Sequence, residues 1–201
     1  MNSRLHSALS ALLLLGGVAL SQSQQQQGQT QKPMSVGLSS VDRNFVSDAY
    51  AAGTAEVEQG RLAVNRASNP AVKTFAQRMV DDHTSTNQDL MQLGALKGIT
   101  SLSAIAEQQA QPKDKSRDLI AKWAKLSGAE FDREYMSARV RAHEKAVSLF
   151  KNEADSGSDP DVKAFAAKVL PSVRVHLKMA NDVAHKVGAV DTRAGNNTGA
   201  G

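Results

Sequence analysis

Apolar residues recur at intervals that alternate between three and four in four long stretches of this chain. This is the spacing of amphipathic helices that pack in a bundle. The last stretch has the most regular pattern, formed by Val162, Ala166, Val169, Val173, His176, Ala180, Val183 and Val187. No stretch alternates between apolar and polar residues with the period of two that is typical of a strand. The pattern therefore predicts an all-α protein.

Capping signals group the four helices into two antiparallel hairpins. We expect the first helix over about residues 41–67, capped by Ser39 or Ser40. The second should start from Asn69-Pro70, where an N-cap residue precedes a proline at the first helical position. The third helix is predicted to begin at a capping box, Ser127-Gly128-Ala129-Glu130, and the fourth at Asp159-Pro160. Because so few residues join the helices of each pair, the two must be antiparallel neighbours.

The two hairpins share local sequence and are joined by a long connection. Five residues recur at an offset of 90, as Pro70, Val72, Lys73, Phe75 and Ala76 and then as Pro160, Val162, Lys163, Phe165 and Ala166. The connection over residues 99–126 is far longer than a tight turn and contains a short amphipathic helix around Trp123. This length predicts a ferritin-like four-helix bundle, in which one long crossover joins two hairpins, and a plain up-down bundle is the alternative.

The two ends of the chain differ in composition from the helical part. Residues 1–21 combine Arg4 with an apolar run, which predicts a secretory signal peptide, with an uncleaved membrane anchor as the alternative. Residues 22–38 are rich in Gln and predict a disordered tether, and residues 189–201 predict a disordered tail. The bundle then occupies residues 39–188. With no cysteine for lipid attachment, we expect an exported protein that is periplasmic or associated with the outer membrane.

Charge and motifs exclude several classes of function. The 24 basic and 20 acidic residues are interspersed, and the chain has only one Trp and two Tyr. It therefore lacks the basic and aromatic surface that nucleic-acid binding requires. No Ser-His-Asp set, glycine-rich phosphate loop or cysteine nucleophile is present, which argues against an enzyme. The sequence identifies no partner, and association with the cell envelope stays open.

One polar residue interrupts each apolar stripe near the middle of its helix. These residues are Glu56, His83, His143 and His176. In the first hairpin the pair lies 14 residues before and 13 after the proline of the turn, and in the second hairpin 17 before and 16 after. At a rise of ~1.5 Å per residue, each pair lies at one height and both pairs lie mid-bundle. We therefore expect the four side chains to meet in the core.

Buried polar groups are costly unless they pair, form hydrogen bonds or bind a ligand. Three imidazoles and one carboxylate are suitable ligands for a single Zn, Mn, Fe or Cu ion, so the four residues form a candidate metal site. Asp82 and Glu144 are adjacent in sequence to His83 and His143. They are candidate outer partners, meaning residues that hydrogen-bond to a metal-binding side chain without binding the ion themselves. The alternative is a hydrogen-bonded core network without a metal.

Three segments resemble the DUF4142 family of exported bacterial proteins: Phe75–His83, Ser127–Tyr135, and Leu170-Pro171 followed by His176-Leu177. The resemblance covers roughly residues 44–187 and implies a ferritin-like fold, while it says little about activity.

The di-iron members of the wider ferritin-like group bind iron through Glu-x-x-His motifs. Here Val80 and Val173 stand three residues before His83 and His176, so a di-iron oxidase or ferroxidase is not expected. Two functions stay open. One is an exported bundle that binds a single transition-metal ion, and the other is a non-enzymatic envelope stress or interaction protein with a structural polar core.

Overall fold

Five α-helices form most of the chain that the structure, a computed structural model, describes: residues 37–99, 101–104 and 115–189. They are α1 (Ser40–Arg66), α2 (Pro70–Leu96), α3 (Lys115–Trp123), α4 (Gly128–Ser156) and α5 (Pro160–Lys186). The all-α prediction is confirmed. Within the described ranges no helix is both long and apolar enough to cross a membrane. The predicted signal peptide lies outside the described residues. So do most of the predicted tether, apart from residues 37–38, and most of the predicted tail, apart from residue 189.

Side-chain caps start three of the four long helices, as the sequence predicts. Ser39, Asn69 and Asp159 each accept a hydrogen bond from a backbone N–H in the first turn of α1, α2 and α5. The capping box predicted for α4 is wrong, because the Ser127 side chain makes no capping hydrogen bond. The chain enters α4 through Gly128, whose φ of +58° lies in the left-handed region that favours glycine.

Two buried aspartates fix how the hairpins are arranged. Asp132, near the start of α4, accepts hydrogen bonds from the backbone N–H groups of Ser68 and Asn69 in the α1–α2 turn, at 3.1 and 2.9 Å. Asp42, near the start of α1, accepts hydrogen bonds from two backbone N–H groups of the α4–α5 turn, at 2.8 and 3.2 Å. The two aspartates are 90 residues apart, which is the offset of the sequence repeat. Each hairpin therefore begins beside the turn of the other.

The connection between the hairpins runs the length of the bundle. Helix α2 leads away from the α1–α2 turn, whereas α4 begins beside that turn, so the chain must return along the bundle between them. Helix α3 lies on this path against α1 and α4. Beyond its end, the carbonyl of Ala124 accepts a hydrogen bond from Arg66 Nη2 at 2.7 Å. This arrangement confirms the predicted crossover and excludes the up-down alternative.

The apolar core consists of two clusters at opposite ends of the bundle. The cluster near the α1–α2 turn contains the large side chains of Phe75, Met79, Trp123, Phe131, Tyr135 and Met136. The cluster near the α4–α5 turn contains those of Phe45, Leu90, Phe150, Phe165 and Leu170. The four predicted polar residues belong to neither cluster and lie at the level between them.

Glu153 is a buried carboxyl group beside Asp42, at the end of the bundle that holds the α4–α5 turn. It is 3% exposed, and its Oε1 has no hydrogen-bond partner among the described residues. Burial raises the pKa of Glu153 to about 7, and the hydrogen bond to Asp42 and its negative charge act in the same direction. In mildly acidic solution Glu153 is therefore protonated in the folded protein, whereas it is ionised in the unfolded chain.

Replacing Asp132 by Ala should lower the free energy of unfolding by about 2–4 kcal/mol. The change leaves two backbone N–H groups of the turn without an acceptor, and each costs about 1–3 kcal/mol if it stays buried. Asp132→Asn keeps one acceptor oxygen and should lose less. Urea unfolding followed by circular dichroism measures both. A loss for Asp132→Ala below about 0.5 kcal/mol, the range of ordinary surface changes, would contradict this role.

The stability of the wild type should fall relative to that of Glu153→Gln as the pH rises from about 4.5 to 7. The raised pKa of Glu153 means that its stabilising contribution is complete below about pH 4.5 and is lost as the pH passes through 7. Gln keeps a hydrogen-bond donor to Asp42 but does not titrate. Thermal unfolding of both proteins across this range is the measurement, and melting temperatures that change in parallel would refute the prediction.

Candidate metal centre

Each of the four long helices contributes one predicted polar residue, and the structure brings the three histidines together. The ring centroids of His83, His143 and His176 lie 5.5 to 5.9 Å apart. One ring nitrogen from each lies within 4.8 Å of the other two. His143 and His176 are buried, and His83 is half-buried. Helices α2, α4 and α5 thus present imidazoles to one point between the two apolar clusters.

Hydrogen bonds fix which ring nitrogen of His143 and of His176 carries the proton when the ring is neutral. His143 Nδ1 donates to the carbonyl oxygen of Arg139 at 2.9 Å. His176 Nε2 donates to Asp82 Oδ2 at 2.8 Å. A carbonyl and an ionised carboxylate can only accept, so the second nitrogen of each neutral ring has a lone pair. These nitrogens are His143 Nε2 and His176 Nδ1.

Three buried ring nitrogens have no hydrogen-bond partner in the described part of the chain: His83 Nε2, His143 Nε2 and His176 Nδ1. Burial lowers the pKa of His83 to about 4, although Glu56 acts in the opposite direction. Burial also lowers the pKa of His176, against the effect of Asp82. Both rings are therefore neutral at neutral pH. An unpaired buried polar group costs about 1–3 kcal/mol, so three at one point require an explanation.

Glu56 pairs with a buried arginine and is not among the grouped ligand atoms. Its Oε1 lies 2.5 Å from Arg139 Nη1, and both side chains are buried. Its Oε2 has no hydrogen-bond partner within the described ranges. Burial by itself would raise the pKa of Glu56, but the charge of Arg139, with that of His143 and His83 if protonated, lowers it to about 2. Glu56 therefore places a negative charge beside the histidines.

Arg139 is the residue of this site that sequence reasoning missed. It is 3% exposed, and its guanidinium lies over the rings of Trp123 and Tyr135, at 5.5 and 5.3 Å from their centroids. It also donates a hydrogen bond to Gln59. A signal was available, because Arg139 lies four residues before His143 and so occupies the same face of α4.

The two candidate outer partners have different positions. Asp82 joins the site, because it accepts hydrogen bonds from His176 Nε2 and from Arg78 Nε, both at 2.8 Å. Glu144 does not. Its side chain is exposed and does not line the cavity described below. The physical reason is helix geometry, since one residue along a helix is a rotation of about 100°, which carries Glu144 away from the bundle interior.

A cavity of about 890 Å³ lies between the hairpins and includes all four predicted residues in its wall. Small side chains of α1 and α4 make this space: Ala49, Ala52 and Gly53, and Ala138, Ala142 and Ala146. Exposed residues such as Asp48 and Lys145 also line it, so the cavity reaches the surface. The cavity therefore leads from the surface to the histidine cluster, whose unpaired ring nitrogens are themselves buried.

The arrangement has the chemical requirements of a transition-metal site. Nitrogen ligands bind such ions at about 2.0–2.1 Å, which places ligand nitrogens roughly 3.3 Å from one another in a tetrahedral geometry. The grouped ring nitrogens lie within 4.8 Å of one another, so they would have to approach by up to about 1.5 Å to bind one ion in this geometry. Asp82 and the carbonyl of Arg139 orient two of the rings, in the way that outer partners orient metal-binding histidines.

Fold and site together define a ferritin-like helical bundle with a three-histidine cluster at its centre. The chain belongs to the DUF4142 family, described as a domain of unknown function, whose family model matches residues 20–183. The comparison with curated proteins finds no match.

Two solved structures have a similar fold. One is a DUF305 protein from Streptomyces coelicolor that is inferred to be secreted, with a TM-score of 0.62 and 16% identity over 74% of this chain and 94% of that chain. The other is CopM in the Cu(II)-bound form, with a TM-score of 0.60 and 14% identity over 72% of this chain and 96% of that chain. At these identities the likeness shows the fold alone.

Replacing Arg139 by Met should lower the free energy of unfolding by about 3–5 kcal/mol, because it leaves the buried charge of Glu56 unpaired. The double variant Glu56→Gln/Arg139→Met should recover much of this loss, since Gln carries no charge. Urea unfolding of the wild type, Glu56→Gln, Arg139→Met and the double variant gives a double-mutant cycle, which measures the coupling between the two side chains. Additive losses would contradict the importance of the ion pair.

Proposed function

We propose that this protein is an exported bundle that binds one transition-metal ion through His83, His143 and His176. The observation that carries the proposal is the set of three buried ring nitrogens that have no hydrogen-bond partner among the described residues. A metal ion would satisfy all three at once and offset the cost of burying them. The predicted fourth ligand, Glu56, supplies the neighbouring negative charge while its Oε1 stays paired with Arg139.

The chemistry of the ligands narrows the choice of ion. The cluster offers imidazole nitrogens, which suit Zn, Cu, Fe and Ni, whereas Mg and Ca prefer oxygen ligands. Copper and zinc are the first ions to test among the predicted Zn, Mn, Fe and Cu, because they bind imidazole more tightly than manganese or iron. The Cu(II)-bound form of the structurally similar CopM supports the same choice.

Export is the second part of the proposal. The apolar segment after Arg4 supports it, and so does the inferred secretion of the structurally similar DUF305 protein. A cavity that leads from the surface to the site would admit metal ions from the surrounding medium. We therefore propose a protein of the periplasm or the cell envelope that binds a metal ion there.

A structural polar core without a metal is the alternative, in an envelope stress or interaction protein. It is supported by the hydrogen bonds of His143 to Arg139 and of His176 to Asp82, and by the ion pair of Glu56. These contacts leave one nitrogen of each ring unpaired in the described chain, so the network is incomplete. For this reason we favour the metal.

Protein purified without an affinity tag should bind one copper or zinc ion per chain. Changing His83, His143 or His176 singly to Ala should weaken binding by about 10–100-fold or more, the loss that even outer partners of a ligand cause. His185→Ala is the matched control, because this histidine is exposed and lies near the end of α5, and it should bind like the wild type. Elemental analysis and calorimetric titration measure these effects.

Two results would overturn the proposal. One is a wild type that takes up no ion stoichiometrically after loading with copper, zinc, iron or manganese. The other is an affinity for the metal ion that is as high in the His83, His143 and His176 variants as in His185→Ala. In either case, core variants that are more stable than the wild type would favour the structural network.

A further inference from the structure

We propose that the cavity beside the histidines binds a small organic molecule, with an apolar body of one or two rings and one nitrogen or oxygen donor that completes the coordination of the metal ion. This inference rests on the proposed function. The new element is the class of ligand that the cavity would bind, together with an open coordination position on the ion for that ligand.

The ligand set leaves room for an external donor. Three protein ligands do not complete a four-coordinate ion, and sites of this kind bind a water molecule or a substrate in the remaining position. The carboxylate that could close the set, Glu56, is held by Arg139 through Oε1, and although its Oε2 has no partner among the described residues, it is not among the grouped ligand atoms. The remaining position would lie towards the cavity, because all three histidines are part of its wall.

The size and lining of the cavity indicate an organic ligand. Its volume of about 890 Å³ lies within the usual range of small-molecule sites, about 300–1,000 Å³. Bundle cores are normally packed without such spaces. Here Ala or Gly occupies seven lining positions on α1 and α4, and Phe150 and Val173 extend the apolar wall. Such a wall favours an apolar ligand body.

A second polar group in the cavity wall has an atom without a hydrogen-bond partner in the part of the chain that the structure describes. Asn87 lines the cavity, and its Oδ1 is buried without a hydrogen-bond partner in the described residues. Its Nδ2 donates to Thr54 Oγ1 at 3.2 Å, which fixes the amide orientation. Gly53 makes room for this amide, because a Cβ at that position would lie 2.2 Å from Asn87 Oδ1. Asn87 Oδ1 therefore lies beside the Gly53 backbone in the cavity wall.

The test compares two probes that share a donor and differ in their apolar body. The protein is first loaded with the ion that elemental analysis identifies, or with Cu(II) if several bind. Imidazole and 4-phenylimidazole are then titrated into it and followed by calorimetry, with the visible absorption of the metal where it has one. We expect 4-phenylimidazole to bind about tenfold more tightly or better, the gain that burial of a phenyl ring gives. Metal-free protein should lack this binding.

Cavity-filling variants connect this preference to the cavity. Ala146→Leu adds a side chain to the cavity wall at a half-buried position, and Ala52→Leu does so at an exposed position on the opposite helix. Either variant should keep the metal and the affinity for imidazole and lose the preference for 4-phenylimidazole. Ala164→Leu, exposed on α5 and outside the cavity lining, is the matched control and should keep the preference.

The possible failures are distinguishable. If no ion is bound at the loading step, the proposed function fails, and this inference fails with it. If the ion is bound but both probes bind equally, the cavity proposal alone is overturned. The cavity proposal is likewise overturned if both filled variants fold, bind the ion and keep the preference of the wild type.

Discussion

The ion pair between Glu56 and Arg139 is the contact on which the polar centre of this bundle depends. Each of these side chains alone would be a buried, uncompensated charge. Together they neutralise each other, and the arginine is stabilised further by Trp123 and Tyr135. The backbone carbonyl of the same arginine accepts a hydrogen bond from His143 Nδ1, so one residue sets both the charge and the tautomer at this level.

The polar layer is possible because the ends of the bundle carry the apolar packing. Two clusters of large side chains lie on either side of it, and each contains side chains from both hairpins. Asp42 and Asp132 close the two ends by capping the turn of the opposite hairpin. The hairpins are therefore joined firmly at their ends, which leaves the middle free for small residues, a cavity and three histidines.

The internal repeat helps to separate scaffold from site. Positions 90 residues apart include the two capping aspartates and the prolines that start α2 and α5, and these belong to the scaffold. The histidines do not follow the repeat: Val173 stands opposite His83, and Gly53 opposite His143. The polar cluster thus departs from the near symmetry of the frame, with His83 from the first hairpin and His143 and His176 from the second. This asymmetry is what a function grafted on a fold would produce.

Sequence alone determined the helices, three of their caps and the height at which the histidines meet, because these depend on local periodicity and on counting from a turn. It did not determine the partner of Glu56, the role of Asp132 or the exposed position of Glu144. Those depend on helix rotation and on contacts between residues far apart in the chain. The cavity is also a tertiary property, since alanines on α1 and α4 leave space only when the two helices face each other. Only the packing of the helices decides which buried polar atoms are left without a hydrogen-bond partner. The functional proposal rests on three such atoms, the unpaired ring nitrogens of the histidines.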